Sequence, residues 1–199
     1  MKKTVLTATL IVTGLGLFSA CSSEKTKEQA DATEITSDSE PQETATASVQ
    51  TSEAFQNSFK EAAQAYLKLK NELVQSNAAQ AQAAAAELAQ MLDQVDAASL
   101  MGEAQQKWEE QVDPLKTNAK AISETSDLAE QRKQFTNLSE AMITTVKTFG
   151  AAGATLYEQH CPMANNNSGG SWLSSEKEIR NPYFGDAMLK CGEVTTTIK

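Results

Sequence analysis

Four runs of apolar residues at helical spacing fill residues 51–149 and constrain the fold more than any other feature. Phe55, Phe59, Ala62, Tyr66, Leu69 and Leu73 share one face of a helix. Ser76-Asn77 interrupts the pattern, and Ala81, Ala84, Leu88, Met91 (or Leu92) and Val95 resume it on a second helix. The abundant alanine there has high helix propensity and permits close helix approach. Trp108, Val112, Leu115, Ala119 and Ile122 form a third stripe, with Pro114 inside it as an expected kink or restart. Ser126 and Asp127 offer a cap, with Glu130 three residues beyond the Asp. The fourth stripe is Leu128, Phe135, Leu138, Met142, Val146 and Phe149. Helices with short connections bury such stripes most simply against one another. The expected fold is mainly α, an antiparallel up-and-down four-helix bundle with one core.

Gly150 and Gly153 close the helical region, and the texture then changes. Residues 155–160 and 194–198 are β-prone. Asn165 to Gly170 has the composition of a loop, and Asn181-Pro182-Tyr183-Phe184-Gly185 that of a turn. A small irregular or two-stranded C-terminal appendage is expected, anchored to the helices by Trp172, Tyr183 and Phe184.

At the other end, Lys2 and Lys3 precede a mainly apolar run from Val5 to Phe18, then Ser19-Ala20-Cys21. The run is too short and wrongly flanked for a spanning helix and reads as a signal peptide over 1–20. Small residues directly before a cysteine resemble a bacterial lipoprotein box, with Cys21 as the lipidated residue. The expected location is therefore lipid-anchored on a bacterial membrane, facing the periplasm. Residues 21–50 read as a disordered acidic tether, and 51–199 as the helical domain with its tail. The chain carries a formal charge of −9, and Lys2 and Lys3 are the only charges in 1–20, so the remainder carries −11. With no basic stripe, nucleic acid is excluded as a partner class.

The tail holds the distinctive chemistry. His160-Cys161-Pro162-Met163 and Met188-Leu189-Lys190-Cys191 each bring one thiol and one thioether. Such soft donors select Cu(I) or Ag(I), with Zn(II) behind them. Met188 and Cys191 are three apart, on one face of a helical turn. Cys161, Met163, Met188 and Cys191, with His160 as an added member, form the candidate metal set. The competing reading is a Cys161–Cys191 disulfide, allowed in an oxidising compartment and useful to an appendage short of apolar residues. Catalysis has little support, since the single histidine adjoins Cys161 in sequence and no phosphate-cradling loop or Cys-x-x-Cys motif is present. A non-enzyme is expected. An Ala-rich helix face could also dock on a partner or a second copy, giving a monomer or weak homo-oligomer.

Tyr157, Cys161 to Asn165, Trp172-Leu173-Ser174, Asn181 to Gly185, Met188 and Cys191-Gly192 together resemble the domain of unknown function 3347. So do Tyr66-Leu67-Lys68-Leu69-Lys70 and Arg132-Lys133-Gln134-Phe135. The resemblance covers most of 51–199 and implies an exported or lipid-anchored bacterial protein. The family's domain also occurs attached to periplasmic adaptors of copper and silver efflux pumps, which implies heavy-metal handling and a metal-efflux adaptor as partner. The function expected is soft-metal sequestration or hand-over, with a disulfide-stapled accessory or adaptor module without metal as the alternative.

Overall fold

The computed structural model describes residues 43–199. The signal segment, Cys21 and most of the acidic tether lie outside the described residues. Among the described residues the protein is mainly helical, with five helices and a small sheet of four strands. The order is β1 (Glu43–Ala45), α1 (Glu53–Val74), α2 (Ala78–Asp93), α3 (Glu103–Ser123), α4 (Leu128–Phe149), β2 (Leu156–Cys161), α5 (Ala164–Asn167), β3 (Gly170–Ser174) and β4 (Glu193–Ile198). No helix among these residues is long and apolar enough to cross a membrane.

Each long helix forms where the stripes predict it. Ser52 caps α1 by accepting from the Phe55 N–H at 3.1 Å. Asp127 caps α4 by accepting from the N–H groups of Ala129 and Glu130 at 2.8 and 3.1 Å. Helix α3 continues through Pro114 as one element and does not restart there. Proline removes a single ladder bond there, and the buried side chains of Trp108, Leu115, Ala119 and Ile122 hold both halves against the core. Packing outweighs the local defect. Phe55, Phe59, Trp108 and Phe149 cluster within the core, the Phe55 and Phe149 rings 5.1 Å apart and the Phe55 and Trp108 rings edge-on at 5.3 Å.

The C-terminal region is a fuller sheet than the expected two-stranded appendage. Its order is β1-β4-β2-β3, with β1 parallel to β4 and the other pairs antiparallel. Two strands escaped the sequence reading. Strand β3 begins at Gly170 inside a polar, glycine-rich stretch that resembles a loop by composition. Strand β1 lies in the segment assigned to the tether, and Glu43–Ala45 gains its structure by pairing with Thr196–Ile198. The N–H groups of Ser48 and Val49 also donate to the Thr148 carbonyl. Residues 43–50 therefore pack with the domain, and the tether boundary at residue 50 moves toward the N-terminus.

The sheet lies against α1 and α4 through β3. Trp172 and Leu173 are buried there. As an edge strand, β3 has backbone groups with no partner strand, and two tyrosines serve them. The Leu173 N–H donates to the Tyr66 hydroxyl at 3.1 Å, and the Tyr183 hydroxyl donates to the Ser171 carbonyl at 2.7 Å. Tyr66 Oη also contacts Ser139 Oγ on α4 at 2.7 Å, and its ring stacks on Phe135 at 5.5 Å. Burial pushes both tyrosine hydroxyls well above the ordinary phenol range, so they remain protonated donors.

A Tyr66→Phe substitution should cost about 1–3 kcal/mol, because it strands a buried N–H and a buried hydroxyl. Urea unfolding monitored by tryptophan fluorescence measures it, and an unchanged midpoint would remove this contact from the docking. Lys70, buried on α1, supplies a second test. Desolvation lowers its pKa from 10.5 to about 8; the Glu176 charge opposes this and Arg180 adds to it. The unfolded chain therefore holds more protons between these values, so stability rises with pH across that window. Below it the full cost applies. Lys70→Met should stabilise the protein by about 2 kcal/mol at pH 7, and the gain should shrink as pH approaches 10.5. A gain that stays constant with pH would rule out the charge as its source.

Candidate functional site: the stapled tail and its cleft

The two sulfur-bearing stretches meet. Cys161 ends β2, and Cys191 lies just before β4. Because β2 and β4 are paired neighbours, the sheet brings the two cysteines together, their Cα atoms 5.7 Å apart and their sulfurs joined in a disulfide. Cys161 is fully buried and Cys191 partly so. An oxidised pair presents no thiolate, so the four-donor Cys/Met centre does not exist in this form. Among the described residues, no group of three or more His, Cys, Asp or Glu side chains is placed to hold a metal ion.

His160 points away from this staple, as alternation along a strand requires. Its Nδ1 lies 3.0 Å from Ser171 Oγ on β3, directly across the ladder. The pair orients the imidazole on the opposite face of the sheet from the buried Cys161 sulfur. His160 and Cys161 are thus set on opposite faces of the strand.

The two methionines are brought together. Met163, 48% exposed, and half-buried Met188 line one cleft of about 870 Å³ beside α4. Its wall also includes Leu128, Arg132, Lys133 and Phe184, with Asn165, Asn166 and Asn167 along the rim. Asn165 is fixed by two bonds: its Nδ2 donates to the Gly169 carbonyl, and its Oδ1 accepts from Thr136 Oγ1 at 3.0 Å.

Three residues outside the candidate donor set organise this region. Arg132 donates from Nε to the Pro182 carbonyl at 2.9 Å, and from Nη2 to the Leu73 carbonyl and Ser76 Oγ at 3.1 and 2.9 Å. One guanidinium thereby joins α4, the end of α1 and the tail, and partial burial lowers its pKa. Asn181 is fully buried; its Nδ2 donates to the Cys191 carbonyl at 2.8 Å, and its Oδ1 accepts from the Tyr183 N–H at 2.8 Å. Gly185 is held at φ +57°, and a Cβ there would meet the Val74 carbonyl oxygen at 2.9 Å and Arg132 Nη2 at 3.0 Å. Only glycine fits that crossing. The one available signal was that Arg132, Asn181 and Gly185 all sit in the stretches carrying the family resemblance.

Residues 62–153 match the family described as protein of unknown function (DUF3347). This segment belongs to that family. The match runs from within α1 to just past α4, so it includes Tyr66 and Arg132. The tail stretches that also carry the resemblance fall outside the matched span. The chain has no match among the curated proteins and none among the solved structures. The chemistry of the tail, which lies outside the matched segment, therefore has to be argued from its own residues.

The staple closes a loop with a sequence separation of 30, for which chain entropy gives a contribution of about 3–4 kcal/mol. Reductant should lower the unfolding midpoint of the wild type by that equivalent and leave a Cys161→Ser/Cys191→Ser variant unaffected. Equal sensitivity of the two would show that the bond carries no stability.

Proposed function

We propose that this protein is an exported, lipid-anchored bacterial accessory module that acts by binding a partner and not by catalysis. Its helical body is an antiparallel up-and-down four-helix bundle, and its tail is stapled to present a fixed surface. The Cys161–Cys191 disulfide is the observation that carries this reading. It uses both tail thiols for structure and suits an oxidising compartment. Arg132, Asn181 and Gly185 support the same role, because they clamp the tail to the helices and leave no reacting atom in their contacts. The bundle is supported by packing of each long helix on the next, α1 on α2, α2 on α3 and α3 on α4. The N-terminal lipoprotein-like sequence, ending at Cys21, supports the anchor.

A second reading retains Cu(I) or Ag(I) as cargo of the reduced form. It is favoured by one specific observation: Met163 and Met188 come from distant segments yet line the same cleft. Thiol–disulfide exchange with an external dithiol, which would be oxidised to its own disulfide, would then supply the two Cys thiolates for sequestration or hand-over to a metal-efflux adaptor.

The full chain separates the two readings when it competes for Cu(I) with a chelator, once oxidised and once reduced. The module reading expects no competition in either state, and cross-linking in the native membrane should give a discrete adduct that Cys161→Ser/Cys191→Ser loses. Competition confined to the reduced wild type, abolished by the double variant, would establish the cargo reading instead. An adduct insensitive to loss of the staple would defeat the module as described.

A further inference from the structure

We propose that the cleft beside α4 is a docking groove for an acidic peptide segment, carrying interspersed apolar side chains, of a partner protein. This rests on the module reading and names its surface. Charge complementarity is the leading argument. The chain carries −9 overall, yet the only charged side chains lining this cleft are Arg132 and Lys133. Arg132 donates only to two carbonyls and a hydroxyl, and among the described residues no carboxylate pairs with it. A half-buried guanidinium whose charge is left unneutralised favours an incoming carboxylate, for which the N–H groups of Nη1 are not engaged by any of these three bonds. Lys133, itself exposed, adds a second cation beside it, engaged only by Glu130 at 3.5 Å, a pairing too weak to compete strongly.

The rim fits a peptide better than a small anion. Asn165, Asn166 and Asn167 stand at φ 52°, 57° and 68°, three successive left-handed residues. Asparagine tolerates this singly, and a run of three is uncommon. The amides of Asn166 and Asn167 are exposed and have no hydrogen-bond partner among the described residues, so both can donate to and accept from a peptide backbone. Met163 and Met188 supply adaptable apolar surface for side chains between the acids. A small anion would leave that surface uncovered.

The test uses the oxidised full chain and a short fluorescein-labelled peptide of alternating Glu and Leu, read by fluorescence anisotropy. Binding should weaken roughly tenfold or more with Lys133→Glu, and similarly with Asn166→Asp/Asn167→Asp, because each change sets like charge against the ligand. It should fall as salt rises. Lys107→Glu on α3, outside the cleft, should leave it unchanged, and circular dichroism verifies folding of every variant. Four outcomes overturn the proposal: no binding by the wild type, full binding by both cleft variants, equal binding of an alternating Lys–Leu peptide, or preference for anionic phospholipid vesicles. If one of these occurs while the staple-dependent cross-link persists, the partner surface lies elsewhere and the module reading stands. Loss of both would remove the module as well.

Discussion

Strand β3 runs along the outer edge of the sheet, and its outward N–H and C=O groups must find partners before that edge can be buried against helices. Unpaired backbone groups out of water cost as much as lost hydrogen bonds. Tyr66 from α1 and Tyr183 from the tail meet this need, one accepting from Leu173 and the other donating to Ser171. Both rings also pack on Phe135 of α4, at 5.5 and 5.9 Å. Polar satisfaction and apolar burial are therefore delivered by the same side chains. The edge is also closed to pairing with another chain. Everything further along the tail, including the staple and the cleft, takes its position from this seam.

The seam is reinforced at two further points of different chemistry. Arg132 ties the end of α1 to α4 and to Pro182, a cation placed beside the last carbonyls of a helix, where the helix dipole favours positive charge. Asn181 and the disulfide then hold the returning segment that leads into β4. The tail needs these devices because it has few large apolar residues besides Trp172, Leu173 and Tyr183 to bury. A short segment with a small core depends on polar clamps and a covalent bond, as small exported domains do.

Oxidation state links this architecture to function. With the sulfurs joined, the tail borders a cleft lined by two cations, Arg132 and Lys133, in a protein of net negative charge. With them reduced, Cys161 and Cys191 would be free to act as soft donors. The two readings compete for one pair of atoms, so measuring the redox state of Cys161 and Cys191 in the cell decides between them more directly than any measurement on the helices.

The helices were legible in the primary structure because their signal is local. A stripe at helical spacing and a capping Asp act within a few residues, and neither needs a partner elsewhere to be recognised. Both cysteines and both methionines were also legible as residues that had to matter. Their arrangement was not. Whether Cys161 meets a metal or Cys191 depends on β2 and β4 becoming neighbours, an outcome of long-range pairing. The same holds for β1, which has almost no intrinsic signal and becomes a strand only by lying along β4, and for β3, whose glycine-rich start resembles a loop until tyrosines cap its edge. Continuation of α3 through Pro114 belongs here too, since core packing overrode a local rule. Local sequence thus determined which segments are helical and which atoms are chemically special. Tertiary structure alone decided which of those atoms touch, because contact between residues far apart in the chain is set by the packing of the whole domain.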